Sequence, residues 1–474
     1  MENVASALQR LAGLAASSPI DRLSAAFSEA GRELALVGGP VRDAFLGRDV
    51  NDLDFTTDAR PDDILDIVRP LADTHWDIGR AFGTIGARIA GHTVEITTYR
   101  TDAYDGETRK PVVEFGDTLE GDLVRRDFTV NAMALRLPSL VLVDPSGGID
   151  DLLAGRLDTP SAPEQSFGDD PLRMLRAARF TSQLAFAVTD RVRTAMAALA
   201  PQLEIVSIER VSDELGKLLR SSAPRPGLEL LVDCGIAAIV LPELPALKLQ
   251  VDEHHHHKDV YEHSLTVLDQ AIDLELRRAH GPAPDLVVRM AALLHDIGKP
   301  STKRIEPGGV VTFHHHDVVG AKLAARRLKA LRFDKQFIGD VARLIELHLR
   351  FFGYTDAAWT DSAVRRYVRD AGPLLDRLHI LVRADVTTRN RRKAERLDFA
   401  YDDLEQRIAA LSEEEELAAI RPDLDGDDIM RILGLRPGRE VGRARQFLLE
   451  LRLDEGSLDP GVAETRLREW WALQ

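Results

Sequence analysis

The sequence predicts an α+β chain, with strands confined to the first 157 residues or so and helices throughout the remainder. Three observations carry that reading. Residues 33–37 are strand-like and run into Gly38-Gly39, after which Pro40 opens a helical stretch, 41–46, that Gly47 ends. Residues 84–89 and 93–99 alternate as paired strands across a Gly91-His92 turn. Past Gly155 the text changes to long helical periods rich in Ala, Leu and Arg, broken at 160–163, 223–227, 281–284 and 307–309 by Pro and Gly.

Composition bounds the function. The chain of 474 residues carries 61 Lys and Arg against 77 Asp and Glu, a net charge of −16, so it is no general nucleic-acid coat. RNA binding would need local basic surface. Its one cysteine, Cys234, can form neither an internal disulfide nor a zinc-finger ligand set, which points to a reducing, cytoplasmic setting. No apolar run approaches the roughly 20 residues of a membrane span, and the N-terminus lacks the basic start and apolar core of a signal peptide.

The stretch 36–55 holds the densest chemistry. Gly38 and Gly39 let backbone N–H groups approach a phosphate, and the following helix N-terminus favours negative charge. Asp52 and Asp54 stand two residues apart on a predicted strand, so both carboxylates share a face. Paired carboxylates repel unless cations lie between them, and Mg²⁺ takes such oxygen ligands together with phosphates. A third acid, Glu95, shares a strand face with Thr97, opposite Val94, Ile96 and Thr98.

The order of Gly-Gly turn, helix, Asp52-Leu53-Asp54 strand and third-acid strand resembles the polymerase-β-like nucleotidyltransferase superfamily. More narrowly it resembles the class II tRNA nucleotidyltransferases, or CCA-adding enzymes, and their bacterial poly(A) polymerase relatives. Arg125-Arg126-Asp127-Phe128-Thr129-Val130-Asn131 is similar to the family's ribose- and triphosphate-contacting motif. The resemblance implies that Gly38, Gly39, Arg42 and Arg126 bind phosphate, with Asp127 and Asn131 near the sugar. Residues 144–152 are similar to a head-to-neck hinge. Asp169-Asp170-Pro171-Leu172-Arg173 resembles the family's amino-acid template for the incoming base, followed by Arg176 and Arg179. Asp170 and Arg173, three apart, are expected to meet over one helical turn. There Asp170 would accept from an exocyclic amine and Arg173 would donate to a ring acceptor, a pairing that suits cytosine and adenine. Residues 209–217 complete a neck-like pattern, read as mainly structural.

A second constellation follows. His263 near the start of a predicted helix, His295-Asp296 at the end of another, and Asp385 on an apolar helix face supply N and O ligands suited to Mn, Fe, Ni, Co or Zn. A carboxylate on an apolar face is costly unless paired or metal-bound. This set resembles the HD phosphohydrolase superfamily over about 258–390, implying His263, His295, Asp296 and Asp385 as core ligands and His316 and His348 as ligands of an optional second metal. The tract 254–257 is expected to be a solvated loop.

Together these readings predict a nucleotidyltransferase head, 1–157; a helical neck, 158–245; an HD-type helical body, 246–390; and a helical tail, 391–474. The basic residues Arg389, Arg391, Arg392, Lys393 and Arg396 form one cluster, and Arg436, Arg439, Arg443 and Arg445 around Pro437-Gly438 are expected either to contact tRNA phosphate or to form a solvated basic helix face. The implied reaction is Mg²⁺-dependent transfer of CMP and AMP from CTP and ATP to a tRNA 3′ end, catalysed through Asp52, Asp54 and Glu95, with tRNA gripped at its acceptor arm. The loop 99–111 favours competence for adenosine. A poly(A) polymerase, an A-only enzyme and an HD phosphohydrolase acting on tRNA ends are the rival readings.

Overall fold

In a computed structural model, residues 4–50, 52–77, 79–103, 112–248, 251–252, 255–278, 284–307, 311–351, 353–354, 359–387, 390–415 and 421–474 are described. Residues 104–111 of the loop 99–111, together with His254 and Arg389, lie outside them. The chain divides into two compact units, residues 1–240 and 241–474, so the first ends short of the predicted neck boundary at 245.

The first unit opens with helices α1 (Val4–Ala15) and α2 (Ile20–Glu29) and strand β1 (Leu34–Val37), every residue of which is buried. Gly38 then turns the chain with φ +73°, a conformation that favours glycine. Helix α3 (Gly39–Phe45) follows, with Pro40 in its first turn where a missing N–H costs nothing. Next come β2 (Leu53–Thr57), α4 (Pro61–Val68), β3 (Thr74–Trp76), β4 (Thr84–Ile89) and β5 (His92–Thr98), then a hairpin of β6 (Arg100–Ala103) with β7 (Val112–Phe115). Helix α5 (Leu119–Val124) and strands β8 (Ala134–Leu137) and β9 (Leu142–Val143) complete a seven-stranded sheet in the order β3-β4-β5-β2-β1-β8-β9. The sheet is mixed. β2 pairs parallel with β5 and antiparallel with β1, and β4 pairs antiparallel with β5 across the expected turn.

The rest of the unit is helical, with α6 (Gly148–Ala154), α7 (Pro163–Asp169), α8 (Leu172–Leu184), α9 (Asp190–Leu199), α10 (Ile208–Leu219), α11 (Arg225–Asp233) and α12 (Ala237–Val240), except that Arg156–Leu157 pairs parallel with Ala187–Val188, a short strand beyond the expected limit of 157. The predicted hinge is a helix cap: both carboxylate oxygens of Asp144 accept from the α6 N-terminus, at 2.7 Å from Gly148 N and 3.0 Å from Ile149 N.

The second unit is almost wholly helical. Among its helices, Val260–Arg277, Leu286–Leu294, His316–Ala330, Lys335–Leu347 and Leu375–Ala384 carry the predicted metal ligands or their immediate neighbours. The tract expected to be a loop pairs instead: His255–Asp259 forms a short strand against Val251–Asp252, because backbone ladder bonds are indifferent to a run of histidines. At the C-terminus, Leu424, Ile429, Ile432, Ala444, Leu448, Ala463 and Leu467 close a separate small core. Trp470 packs against it, stacked on Phe447 at 4.8 Å between ring centroids.

One glycine holds two of these helices together. A Cβ on Gly298 would lie 2.1 Å from the carbonyl oxygen of His316 and 2.7 Å from the amide of Gly320, both backbone atoms that cannot swing aside. Gly298→Ala should therefore destabilise the protein by about 1–3 kcal/mol. Gly339→Ala, in the helix Lys335–Leu347 with open space around the new methyl, should gain about 0.5–1 kcal/mol instead. Thermal unfolding of the two variants checks both signs.

Candidate active site and metal centre

The parallel register of β2 on β5 sets Asp54 opposite Glu95. Neighbouring side chains in such a register point to the same face, so two carboxylates are brought together on one face of the sheet, on its inner strands. Asp52, expected on the strand, lies in a bend one residue before β2 and is exposed, close enough to act on the Asp54 charge. Burial first, and then the charge of Glu95, push the Asp54 carboxyl up to about 6, with Asp52 adding to the rise. These donors fit a hard divalent cation: their oxygens crowd together and nothing but positive charge relieves them.

Arginines ring the acids. Asp54 and Glu95 line a cavity of about 470 Å³ with Thr84, Thr97, Arg100, Arg125, Arg126, Asp127, Asp170, Arg173, Arg176 and Arg210. Gly38 is the close neighbour of Arg126, since a Cβ there would stand 3.3 Å from Nη1. Arg42 is buried; its Nη1 donates to Asn131 Oδ1 at 2.7 Å while Nε holds Asp43 at 2.9 Å. Asn131 in turn donates to Asp127 Oδ1 at 3.1 Å, and Arg176 Nη2 stands 2.6 Å from Asp127 Oδ2. Burial alone would raise the Asp127 carboxyl, but the Arg176 charge and the Asn131 bond overcome it and hold the group well below the usual carboxylate range. Arg42, Asn131, Asp127 and Arg176 thus form one chain running from the Gly-Gly turn to α8.

The predicted base-reading pair is arranged differently from expectation. Asp170 is not on one helix with Arg173: it caps the end of α7 in an extended conformation (φ −146°, ψ 98°), and Pro171 starts the turn into α8. The residue before a proline is pushed out of the helical region, which is the reason. Asp170 accepts from Arg210 Nη2 at 2.7 Å and from Leu172 N at 3.2 Å. Arg173 donates to Ser166 Oγ and to the carbonyl of Arg125, both at 2.8 Å. Both side chains still line the cavity. Arg179 does not; it pairs with buried Glu214 at 2.6 Å and lies over the Phe180 ring at 4.1 Å.

Two residues here escaped sequence reasoning. Asp122 is fully buried and holds Arg125 Nη2 at 2.8 Å and Arg126 Nη2 at 3.1 Å. Its spacing of three and four residues from two arginines, which puts all three on one side of a helix, could have exposed it. Arg210, read as structural, reaches the cavity from α10; no local pattern links it to Asp170, forty positions away.

In the second unit the predicted ligands converge. His263, His295 and Asp385 form one group whose ligand atoms all lie within 4.8 Å of one another, and Asp296, His316 and His348 form another. Backbone carbonyls three residues upstream take Nδ1 of three rings: His295 on Ala292 at 2.9 Å, His316 on Phe313 at 2.8 Å and His348 on Ile345 at 2.6 Å. Holding the Nδ1 proton there turns each Nε2 lone pair inward, the arrangement of metal-bound imidazole. His263 Nδ1 meets Thr387 Oγ1 at 3.1 Å, and its Nε2 stands 3.2 Å from that of His295. At that distance a cation joins the two nitrogens: a metal ion, or without one the proton that the neighbouring aspartates hold on His295. His348 Nε2 is buried without a hydrogen-bond partner, a further donor atom that a metal would satisfy. Burial opposes charge on His295, but Asp296 and Asp385 lift its pKa to about 10, while burial and the His295 charge lower that of His348 to about 4.

Comparison with known proteins agrees with both constellations. Residues 34–158 match the poly A polymerase head domain, 185–247 the probable RNA- and SrmB-binding site of polymerase A, and 260–390 the HD domain. The chain is 36% identical over 444 residues to the A-adding tRNA nucleotidyltransferase of Deinococcus radiodurans, covering 92% of this chain and 95% of that one. The chain belongs to the class II tRNA nucleotidyltransferase family. The CC-adding tRNA nucleotidyltransferase of Thermus thermophilus is 32% identical, over 88% of this chain and 89% of its own. The CCA-adding enzyme of Bacillus subtilis is 41% identical over 205 residues, 43% of this chain and 50% of that one. The fold is that of the Bacillus stearothermophilus CCA-adding enzyme crystallised with CTP, at a TM-score of 0.67 and 23% identity over 100% of this chain and 99% of that one. Nucleotidyltransferase and HD families are metal-dependent, and both donor sets of this tRNA nucleotidyltransferase suit cations. No helix among the described residues is long and apolar enough to cross a membrane.

The raised Asp54 carboxyl gives the head site a pH signature. Its ionised form binds a cation and its protonated form does not, so Mg²⁺ affinity should weaken as pH falls through about 6. Titration calorimetry in buffers of different ionisation heat should show proton release on binding near pH 6, and Asp54→Asn should abolish that release.

Proposed function

We propose that the protein adds cytidine and adenosine to the 3′ end of tRNA, taking CTP and ATP as substrates and releasing pyrophosphate. The observation that carries this reading is the single cavity in which Asp54 and Glu95 face Arg126, Asp170 and Arg173. Carboxylates for metal, arginine for triphosphate and an acceptor–donor pair for a base are what nucleotidyl transfer needs.

Asp52 and Asp54 would hold Mg²⁺, which when bound lowers the pKa of the tRNA 3′-hydroxyl and neutralises phosphate charge. Glu95 orients that hydroxyl or takes its proton as the oxygen attacks the α-phosphate. Arg126, steadied by Asp122, and Arg42, steadied by Asn131, bind the triphosphate and balance charge on the departing pyrophosphate. The backbone at Gly38 and Gly39 approaches the phosphates. Asp127 and Asn131 stand near the ribose, and Arg176 fixes Asp127 for that contact. Asp170 accepts from the amine of cytosine or adenine, and Arg173 donates to the ring acceptor beside it; Arg179 supports α8, the helix that carries Arg173. We assign residues 1–157 to the head, 158–245 to the neck, 246–390 to the HD body and 391–474 to the tail. The neck and tail arginines grip the acceptor arm, in the cytoplasm where tRNA is matured.

A second reading rests on the 36% identity to an A-adding enzyme across 92% of this chain: the protein adds only the terminal adenosine. Transcripts decide between them. On tRNA ending at the discriminator base, CCA addition incorporates two CMP and then one AMP; an A-only enzyme extends only tRNA ending in CC. Long adenylate tails on generic RNA would overturn both.

The HD centre is a second metal site, with His263, His295, Asp296 and Asp385 as core ligands of a transition metal such as Ni, Mn, Co, Fe or Zn, and His316 and His348 completing a second position. Its donor set suits hydrolysis of phosphoesters at damaged tRNA ends. Asp52→Ala with Asp54→Ala should abolish nucleotide addition and leave the metal content of the HD centre unchanged, whereas His295→Ala with Asp296→Ala should do the reverse. Incorporation assays and metal analysis of the same preparations check the separation.

A further inference from the structure

The acceptor that would read the base is held from outside its own segment. Asp170 lies between two helices, its Oδ1 on the amide of Leu172 and its Oδ2 2.7 Å from Arg210 Nη2. Arg210 rides on α10, whose buried face of Val211, Leu215, Leu218 and Leu219 fixes the helix against its neighbours. Glu214, one turn further on, ties the same helix to α8 through Arg179 at 2.6 Å. The Arg210 side chain is itself 52% exposed, yet it lines the cavity that holds Asp54, Glu95 and Arg126.

The consequence is chemical. With one oxygen on a backbone amide and the other on a guanidinium, the Asp170 carboxylate has a fixed plane, and each oxygen keeps a lone pair for a further donor. A base that offers an amine at that point is accepted. One that offers a carbonyl, as uracil and guanine do, meets negative charge and leaves the acceptor without its donor. A carboxylate free to rotate would lose that discrimination, because it could turn away from an unwelcome carbonyl. The ion pair is too exposed to matter much to folding, so its removal can be read as an effect on selectivity.

We infer that Arg210 is a positioning residue for base selection, acting through Asp170 to hold the acceptor that admits cytosine and adenine and rejects uracil and guanine. The inference rests on the reading of Asp170 as the base acceptor.

The test measures kcat/KM for CTP against UTP on a tRNA transcript ending at the discriminator base, and ATP against GTP on one ending in CC, with the full-length protein. Arg210→Ala should lower the discrimination ratio about tenfold, the scale of one good base contact, mainly through a raised KM for the correct nucleotide. Arg210→Lys, which keeps the charge, should recover part of it. In the Asp170→Ala background, Arg210→Ala should change the ratio no further. An unchanged ratio in Arg210→Ala, or losses that multiply in the double variant, overturns the inference while leaving the proposed reaction intact. Full discrimination in Asp170→Ala removes the acceptor reading and this inference with it, and a wild-type protein that adds nothing to tRNA fails the parent proposal.

Discussion

Carboxylate repulsion across the β2–β5 pair is the constraint from which the head is built. Parallel pairing places Asp54 beside Glu95, and Asp52, in the bend before β2, adds its charge. No packing interaction can absorb that crowding; it must be met by charge. The arginines around the cavity meet part of it, and three of them are pinned by other acids: Arg126 by Asp122, Arg176 by Asp127, Arg210 by Asp170. Those pins keep the three side chains from collapsing onto Asp54 and Glu95, so the two acids stay available to a cation and a triphosphate. Local order around the cavity follows from it: a Gly turn that lets Arg126 come close, a short helix carrying Asp122, and a neck helix carrying Arg173 and Arg176.

The same principle recurs in the HD centre with other donors. Four histidines and Asp296 are buried together, with Asp385 nearly so, which would be untenable for unpaired groups. Backbone carbonyls decide which nitrogen of His295, His316 and His348 faces inward, so the helices supply ring orientation as well as ligands. Gly298 permits the helix approach that brings His316 to Asp296, 3.3 Å away. Lys299, 2.8 Å from Asp296, supplies one positive charge on the outer side. An acidic chain therefore spends its excess charge unevenly. The net −16 coexists with an arginine-lined cavity, which is how such a chain handles RNA at one place.

Much of this was legible in the sequence because it is local. The Gly38-Gly39 turn, the helix after it, the strand that carries Asp54 and the hairpin presenting Glu95 with Thr97 follow from periods of two and from turn chemistry, and each is found. So are the helix start before His263, which Asp259 caps, and the helix end at His295, in the helix whose other end Asp285 caps. What was not legible depends on distance along the chain. Asp170 was expected one turn from Arg173 on a common helix, but Pro171 breaks the helix and the carboxylate turns to Arg210. Arg179, expected at the nucleotide, is drawn to Glu214 by packing between α8 and α10, which no spacing rule encodes.

The central claim is that the acid pair of the head is a cation-dependent nucleotide site whose charge is set by Asp54. Equilibrium binding of CTP at neutral pH, with and without Mg²⁺, tests it in wild type and in Asp54→Asn. The wild type should bind CTP weakly without Mg²⁺ and markedly tighter with it. Removing one negative charge should strengthen metal-free binding and flatten the Mg²⁺ response. Equal Mg²⁺ stimulation in both proteins would contradict the account.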